Sequence, residues 1–341
     1  MDNFFKTSEG HILRPNVGLL ASLFMVFIVA LTGCGVSEPD VKNPKGSITI
    51  HAPDTLSLEK AAESIHRIQC IVQKGTNTVH DREYVKGDSG FIIEIEDLDP
   101  SDDYSVLLLG QNSESETVAR GYEQDIEVTA GKNVQVYLSW IRIMIVADID
   151  GNVYQAVKIG NRWWMMENLK VTRYRNGDPI EHITDAPAWD RLTVGAFCMY
   201  DNSADNGAVY GFLYNWYAVN DSRGITPEGW HVPTDEEWQT LIDHLGGASI
   251  AGGKMKEAGL SHWENPNTGA DNESGFLALP GGYRYYEGDF HEKGYQAYFW
   301  SGTGISPSLA WNRVLRYNSS AVDRVDRNRI GGFSVRCVRD E

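Results

Sequence analysis

The densest group of side chains able to do acid–base chemistry is His231 with Asp235, Glu236 and Glu237. A hydrolase needs a nucleophile beside a base, or two opposed carboxylates, and these residue types could supply the base or the carboxylates. The same residues also have an architectural explanation. Thr234 and Glu237 have the spacing of a capping box, and acidic residues in a first turn favour the helix dipole. We therefore expect this cluster to be structural, and we expect no catalytic residue in the chain.

A helix is predicted directly after this capping signal. Pro233 keeps the residue before it extended, so the helix begins after it. Apolar residues then recur at helical spacing, and two glycines end the pattern. The residues concerned are Trp238, Leu241, Ile242, Leu245 and the pair Gly246-Gly247.

Hard oxygen ligands of the kind that calcium prefers are concentrated in the loop at residues 201–207. Asp201, Asn202 and Asp205 are the candidate ligands. The bidentate glutamate that closes an EF-hand is missing, and Asp, Asn and Gly are also ordinary turn residues. Calcium and a plain turn are the two alternatives for this loop, and we expect no other cofactor.

Tyr283, Arg284, Tyr285 and Tyr286 form the best candidate patch for ligand binding. Aromatic faces stack on the apolar faces of sugars, and an arginine can donate hydrogen bonds to hydroxyl groups. The alternative is that these rings fill the core of a domain that has few regular elements. Carbohydrate binding at this patch is therefore one of two hypotheses.

The first 34 residues have the layout of a secretory signal. Lys6 and Arg14 give a positive start, residues 17–30 are apolar, and small residues lead to Cys34. The apolar stretch has 14 residues, whereas a membrane-spanning helix needs about 20. Its end, Leu31-Thr32-Gly33-Cys34, resembles the bacterial lipobox, and this resemblance implies cleavage before Cys34 and attachment of acyl chains such as palmitate.

The lipobox predicts a lipid-anchored protein of the bacterial cell envelope, most simply at the outer membrane, with its side of that membrane left undetermined. An ordinary signal peptide, or an uncleaved anchor with an incidental cysteine, is the alternative. The chain has 30 basic and 47 acidic residues, a net charge of −17, and no basic run. Because nucleic-acid binding needs a cationic face, we expect no nucleic-acid partner. Anionic lipids would also be repelled, so membrane attachment must come from the lipid at Cys34.

We expect the chain to begin with a signal peptide (1–33) and a lipidated tether (34–46). Two domains should follow, and their strands and helices position the residues discussed above. Short alternating segments with turn signals between them predict a β-sandwich of immunoglobulin-like or prealbumin-like type at residues 47–144. Composition then changes, because nine of the ten tryptophans lie beyond residue 160. The second domain, 145–341, opens with a predicted hairpin of residues 153–159 and 162–165 around a Gly160-Asn161 turn.

The second domain resembles the Fibrobacter succinogenes major paralogous domain. Its most specific segment is Gly229-Trp230-His231-Val232-Pro233-Thr234, and five further stretches agree in order. These stretches are residues 164–169, 210–216, 275–283, 299–303 and 332–338. The resemblance implies an irregular, loop-rich α+β fold similar to formylglycine-generating enzymes and C-type lectin domains. Residues 310–332 lack the cysteine pair that binds copper in those enzymes, so an oxidase of that kind is excluded.

The resemblance also bears on the cysteines. Many family members carry a cysteine just before the Pro-x-Gly-Trp-His segment, where this chain has Thr226. Cys198 is then the available partner for Cys337, and we expect these two to form a disulfide in an oxidising compartment. The alternative is that both are buried thiols.

These observations predict a non-catalytic lipoprotein that presents a C-type-lectin-like domain to a protein or glycan partner outside the cell. The alternatives are an extracellular enzyme acting on polysaccharide or peptide and a purely structural envelope component.

Overall fold

The computed structural model describes residues 44–52, 55–56, 63–75, 77–85, 91–138 and 141–340. The predicted signal peptide, the predicted acylation site Cys34 and nearly all of the predicted tether lie outside these residues. Within the described ranges, none of the helices combines the length and the apolar character needed to cross a membrane.

The described strands in the first half of the chain form two sheets that share one core, and β2 and β3 form a separate two-stranded sheet. Strands β6, β1 and β9 form a three-stranded sheet, and β5, β4, β7 and β8 are neighbours in a larger one. The strand bounds are β1 Gly46–Ala52, β2 Thr55–Leu56, β3 Glu63–Ser64, β4 Arg67–Lys74, β5 Asn77–Val85, β6 Phe91–Leu98, β7 Ser101–Gln111, β8 Thr117–Val128, β9 Asn133–Tyr137 and β10 Ile141–Ala147.

Period-two alternation explains why these segments form strands. In β4 every second residue is buried, namely Ile68, Cys70 and Val72. Successive side chains of a strand point to opposite faces, so such a pattern places one apolar face against the core. Burial of the Ile68 and Val72 side chains contributes about 1.5–3 kcal/mol each before the entropy cost of ordering the chain.

Strand β10 joins the first half of the chain to the second. On one side it pairs with β8, with Ile141 opposite Arg120 and Arg142 opposite Ala119. On the other side it pairs with β11 from Ile143 to Ala147. The larger sheet therefore has nine strands in the order β16-β22-β12-β11-β10-β8-β7-β4-β5. The predicted domain boundary at residues 144 and 145 falls inside β10, so the two halves share a continuous sheet.

The second half adds two smaller sheets, five short α-helices and one 3₁₀ helix at Tyr200–Asn202. Its strands are β11 Val153–Ile159, β12 Arg162–Met165, β13 Glu181–His182, β14 Ala196–Cys198, β15 Leu213–Tyr214, β16 Trp230–His231, β17 Gly281–Arg284, β18 Phe290–Lys293, β19 Gln296–Gly304, β20 Leu309–Arg316, β21 Val322–Asn328 and β22 Val338–Arg339. The α-helices are α1 Ala186–Asp190, α2 Ala204–Tyr210, α3 Trp216–Val219, α4 Asp235–His244 and α5 Ala251–Met255.

Two local predictions are confirmed. Strands β11 and β12 form the expected antiparallel hairpin around Gly160, which has a φ of 62°. Helix α4 begins at the expected N-cap Thr234, with both hydrogen bonds of the capping box. Its apolar face is buried against aromatic residues, with the Trp164 and Trp238 ring centroids 5.1 Å apart.

The predicted α+β class, with a C-terminal domain like formylglycine-generating enzymes and C-type lectins, is wrong. The described part of the chain is predominantly β, with 46% of its residues in strands and 12% in helices. Strand β19 shows why the sequence was misleading, because five consecutive residues from Ala297 to Ser301 are buried. A strand covered on both faces lacks the alternation by which a strand is recognised.

Candidate functional site

The Tyr283–Tyr286 segment lies on a two-stranded hairpin. Strand β17 pairs with β18, with Tyr283 opposite His291 and Arg284 opposite Phe290. The turn closes through a hydrogen bond from the Gly288 amide to the Tyr285 carbonyl (2.9 Å). Gly288 has a φ of 108°, and a Cβ there would lie 2.5 Å from that of Ala186. Glycine is therefore required for the turn to pack this closely.

Arg284 fixes this hairpin to the protein interior, and its side chain is not available to a ligand. Its side chain is 1% exposed and donates three hydrogen bonds to backbone carbonyls. The acceptors are Ile183 (2.6 Å), Thr184 (2.8 Å) and Gly288 (2.9 Å). The guanidinium also lies 4.5 Å from the ring centroid of Trp189. The prediction that Arg284 contacts a ligand is therefore corrected, because burial and three carbonyls occupy its donors.

Of the three tyrosines, Tyr285 is exposed, whereas Tyr283 and Tyr286 are partly buried. Tyr283 is partly buried, and its ring stacks on Phe333 with centroids 5.5 Å apart. Tyr285 is 39% exposed and contacts Tyr286 at a centroid distance of 4.3 Å. Hydrogen bonding to Tyr285, with the negative charge of Glu287, raises the pKa of Tyr286 to about 12 and keeps its hydroxyl protonated. We call Tyr285 and Tyr286 the hairpin platform.

The predicted calcium loop has the contacts of a structured turn. Asp201 and Asn202 have φ values of 52° and 55°, which Asp and Asn tolerate better than most residues. The Asn202 amide donates to the Thr184 carbonyl (3.2 Å), and Ser203 caps α2, which contains Asp205. In the described part of the chain, no group of three or more His, Cys, Asp and Glu residues could hold a metal ion. These contacts fit the turn alternative for Asp201, Asn202 and Asp205.

The predicted disulfide between Cys198 and Cys337 is not formed, and both residues are free, buried thiols. Cys198 belongs to β14 and packs in a small cluster with Trp189 and Leu213. Cys337 belongs to a different cluster, and its carbonyl accepts a hydrogen bond from Met165 (3.0 Å). Burial raises the pKa of the Cys198 thiol to about 12 and also raises that of Cys337. The alternative of two packed thiols describes the structure.

His231 is held between two carboxylates at the start of helix α4. Its Nδ1 lies 2.5 Å from an Asp340 oxygen, and its Nε2 lies 2.9 Å from the Glu237 oxygens. Glu237 also accepts the Thr234 amide hydrogen bond of the capping box (2.8 Å) and pairs with Arg162 (3.1 Å). Burial opposes ionisation of Glu237, but the bonds from His231 and Thr234 outweigh it and lower its pKa to about 2. The bond to Glu237 raises the pKa of His231 despite burial.

Asp235 in the same turn is tied to two arginines. Its carboxylate pairs with Arg313 (2.7 Å), whose side chain is buried, and with Arg324 (2.8 Å). The first-turn acids therefore connect α4 to strands β20 and β21. The sequence predicts a structural role for the cluster that contains His231. It could not indicate Asp340, which is 109 residues away.

A further site was not found from the sequence. A cleft of about 390 Å³ is lined by Arg120, Tyr122, Ile141, Glu257, Asp271 and Glu273 among others, and we call it the junction cleft. Its residues come from β8, from β10 and from the segment after α5. Arg120 is an isolated arginine in a strand of alternating residues and belongs to no recognisable motif. No local sequence signal therefore indicates this cleft.

The comparisons with known proteins identify one family. The model of the Fibrobacter succinogenes major domain matches residues 157–339, which confirms that predicted resemblance. No curated protein matches the chain. A DUF4876 family protein from Bacteroides thetaiotaomicron is 14% identical over 38% of this chain, with a TM-score of 0.18, and the match spans about a third of that structure (34%). A fimbrial protein from Bacteroides ovatus is 10% identical over 87% of this chain and 71% of its own, with a TM-score of 0.23.

Proposed function

The chain belongs to the Fibrobacter succinogenes major domain family, and from that premise we propose that it is a non-catalytic, lipid-anchored envelope protein that binds glycans. The lipobox supports attachment of the protein to the bacterial envelope, at the outer membrane, through Cys34. The hairpin platform supports the choice of a glycan as the partner. No catalytic role is part of the proposal.

The observation that carries the proposal is the contact between exposed Tyr285 and partly buried Tyr286 on an anchored hairpin. The exposed ring of Tyr285, held beside Tyr286, is available to stack on the apolar face of a sugar ring. The three hydrogen bonds of Arg284 and the stacking of Tyr283 on Phe333 fix the base of the hairpin. A fixed platform loses little conformational freedom when a ligand binds, which favours affinity.

Polar groups beside the platform suit the hydroxyl groups of a sugar. Glu287 and Asp289 are exposed on the same turn, and their carboxylates can accept hydrogen bonds. The hydroxyl oxygen of Tyr286, whose proton is bonded within the turn, can accept a further one. A glycan site needs both stacking and a few directional polar contacts, and this turn has both within five residues.

The proposal is tested with a glycan array probed by the full-length protein in detergent. We expect binding that weakens about tenfold when Tyr285→Ala and Tyr286→Ala are combined, since each lost stacking contact removes a modest part of the affinity. Tyr295→Ala is the matched control, because Tyr295 is 43% exposed outside the platform. Equal binding by the double variant would contradict the proposal, and a complete absence of glycan binding would favour a protein partner or a purely structural role.

The lipid anchor has its own test. Cys34→Ala should abolish incorporation of labelled palmitate and leave the protein soluble or unprocessed, because the acylated sulfur is the predicted attachment point. Cys70→Ala is the control, since Cys70 is a buried thiol of β4. Equal labelling of the Cys34 variant would exclude lipidation at this residue.

One observation favours an enzyme as the second candidate. His231 is 35% exposed and contacts two carboxylates, and such a histidine can act in acid–base catalysis on a polysaccharide or peptide. The same array glycans and a peptide library, incubated with the protein, would show cleavage in this case. A His231→Gln variant that folds normally and loses this cleavage would favour the enzyme.

A further inference from the structure

The junction cleft lies where the first half of the chain meets the second. Strand β8 and the start of β10 form one wall of the cleft. In this part of the sheet Arg120 lies opposite Ile141. The other wall is the segment after α5, which contains Glu257 and residues 271–277. Ligand pockets are common where two parts of a protein meet, and the volume of about 390 Å³ lies within their usual range.

Arg120 is the central feature of this cleft. Its Nε is buried and has no hydrogen-bond partner among the described residues. Burial lowers the pKa of Arg120, and the negative charges of Glu167 and Glu257 partly oppose this effect. The guanidinium lies 5.2 Å from the ring centroid of Tyr122. A buried donor without an acceptor costs free energy, and a charged one costs more. An arginine held in this way is suited to a ligand that brings a carboxylate, which accepts hydrogen bonds from the guanidinium.

Carboxylates line the other side of the cleft. Glu257 is already bound by His262 (2.9 Å), and Glu273 is paired with Lys254 (2.9 Å). Asp271 and Glu123 have no cationic partner among the described residues. The cleft therefore combines a guanidinium whose Nε lacks an acceptor with two carboxylates that lack a cation.

We propose that the junction cleft binds a small zwitterion, the ammonium and carboxylate groups of a free amino acid or short peptide. Arg120 binds the carboxylate, Asp271 and Glu123 bind the ammonium group, and Tyr122 packs against the chain between them. The carboxylate of the ligand meets Arg120 in a partly desolvated place, where charge-assisted hydrogen bonds are strong, and its ammonium group meets Asp271 and Glu123 at the exposed side of the cleft. This site differs from the hairpin platform in place and in chemistry, so either can exist without the other.

Calorimetry on the full-length protein in detergent tests the proposal. The probes are glycylglycine and lysylalanine, with N-acetylglycylglycine lacking the ammonium group and glycylglycinamide lacking the carboxylate. We expect both zwitterionic dipeptides to bind and both blocked dipeptides to bind at least about tenfold more weakly. Equal binding of the blocked dipeptides, or no binding of any probe up to about 10 mM, would overturn the proposal.

Variants then assign the two charges. Arg120→Met should abolish glycylglycine binding, because it removes the guanidinium that binds the carboxylate of the ligand. Asp271→Asn should weaken glycylglycine but leave N-acetylglycylglycine unchanged. Glu127→Gln is the matched control, since Glu127 is exposed on β8 outside the cleft. Unchanged glycylglycine affinity in Arg120→Met would refute the assigned role of Arg120, and the wild-type ligand comparison decides the proposal if that variant fails to fold.

Discussion

His231 and Glu237 are joined across the start of helix α4, with His231 Nε2 2.9 Å from both carboxylate oxygens of Glu237. The same carboxylate accepts the Thr234 amide hydrogen bond, so one glutamate completes the capping box and fixes the histidine. Through Asp340, the histidine also holds the end of the chain beside α4. A pH change that alters either partner must therefore change the stability of this region.

The first prediction concerns this pH dependence. The bonded carboxylate raises the pKa of His231 above its usual 6.5, so the stabilisation from His231 is complete below that value and disappears as the pH rises through the raised pKa. The pKa of Glu237 is lowered from 4.5 to about 2, so its stabilisation is complete above 4.5 and disappears as the pH falls. The pair therefore stabilises the domain most between these two limits.

Denaturant midpoints measured from pH 3 to 9 check this expectation. His231→Gln should reduce the decline on the alkaline side, leaving the part due to His262 and Glu257, and should lower the midpoint near pH 5.5. His66→Gln is the control, because His66 is exposed. A wild-type profile that is flat between pH 6 and 8 would show that His231 is not stabilised by Glu237 in solution.

The second prediction concerns the N-cap of α4. Thr234→Ala should lower the free energy of unfolding by about 1 kcal/mol, since the Glu237 amide loses the hydroxyl that accepts its hydrogen bond. Thr240→Ala is the control inside the same helix, where the hydroxyl donates to the Glu236 carbonyl and alanine has the better helix propensity. Equal midpoints for the wild type and the Thr234 variant would contradict the capping role.

The features predicted correctly from the sequence are those with local signals. The β11–β12 hairpin is specified by its turn and its flanking residues, and α4 by Thr234, Glu237 and the glycines after it. Alternation located the strands of the first half, such as β4 and β7. In each case the determining residues lie within a few positions of one another.

The features that were missed depend on contacts between distant segments. The continuous buried run of β19 cannot be distinguished by its sequence from a buried helix or loop. Only its position between two layers identifies it as a strand. The sequence predicts Arg284 as a ligand-binding residue. Its guanidinium instead donates hydrogen bonds to the carbonyls of Ile183 and Thr184, which lie about a hundred positions away in the chain. A disulfide between Cys198 and Cys337 requires their α-carbons to lie close together, and the spacing of the two residues in the sequence does not determine that distance.

The third prediction concerns the thiols. Cys198 and Cys337 should resist alkylation by iodoacetamide in the native protein, because both are fully buried and burial disfavours the reactive thiolate. Both should become labelled after unfolding without a reductant. Mass spectrometry of peptides from protein isolated from the envelope gives the measurement. Recovery of a linked Cys198–Cys337 peptide under these conditions would restore the disulfide.

The last prediction separates the anchor of the hairpin from its platform. Arg284→Met should lower the free energy of unfolding by about 2–3 kcal/mol, because the carbonyls of Ile183, Thr184 and Gly288 lose a charged donor within the protein interior. Arg284→Lys should recover only part of this loss, since an ammonium group cannot reproduce the planar fork of the guanidinium.

Tyr285→Ala should change the free energy of unfolding by no more than about 0.5 kcal/mol, because the side chain is exposed at the tip of the turn. The Tyr285→Ala substitution should instead lower the affinity for the glycan. Urea unfolding of the three variants, beside glycan titration of each, gives both quantities. A large stability loss in Tyr285→Ala would mean that the contact between Tyr285 and Tyr286 holds the hairpin together, and the hairpin platform would then have a structural explanation that needs no ligand.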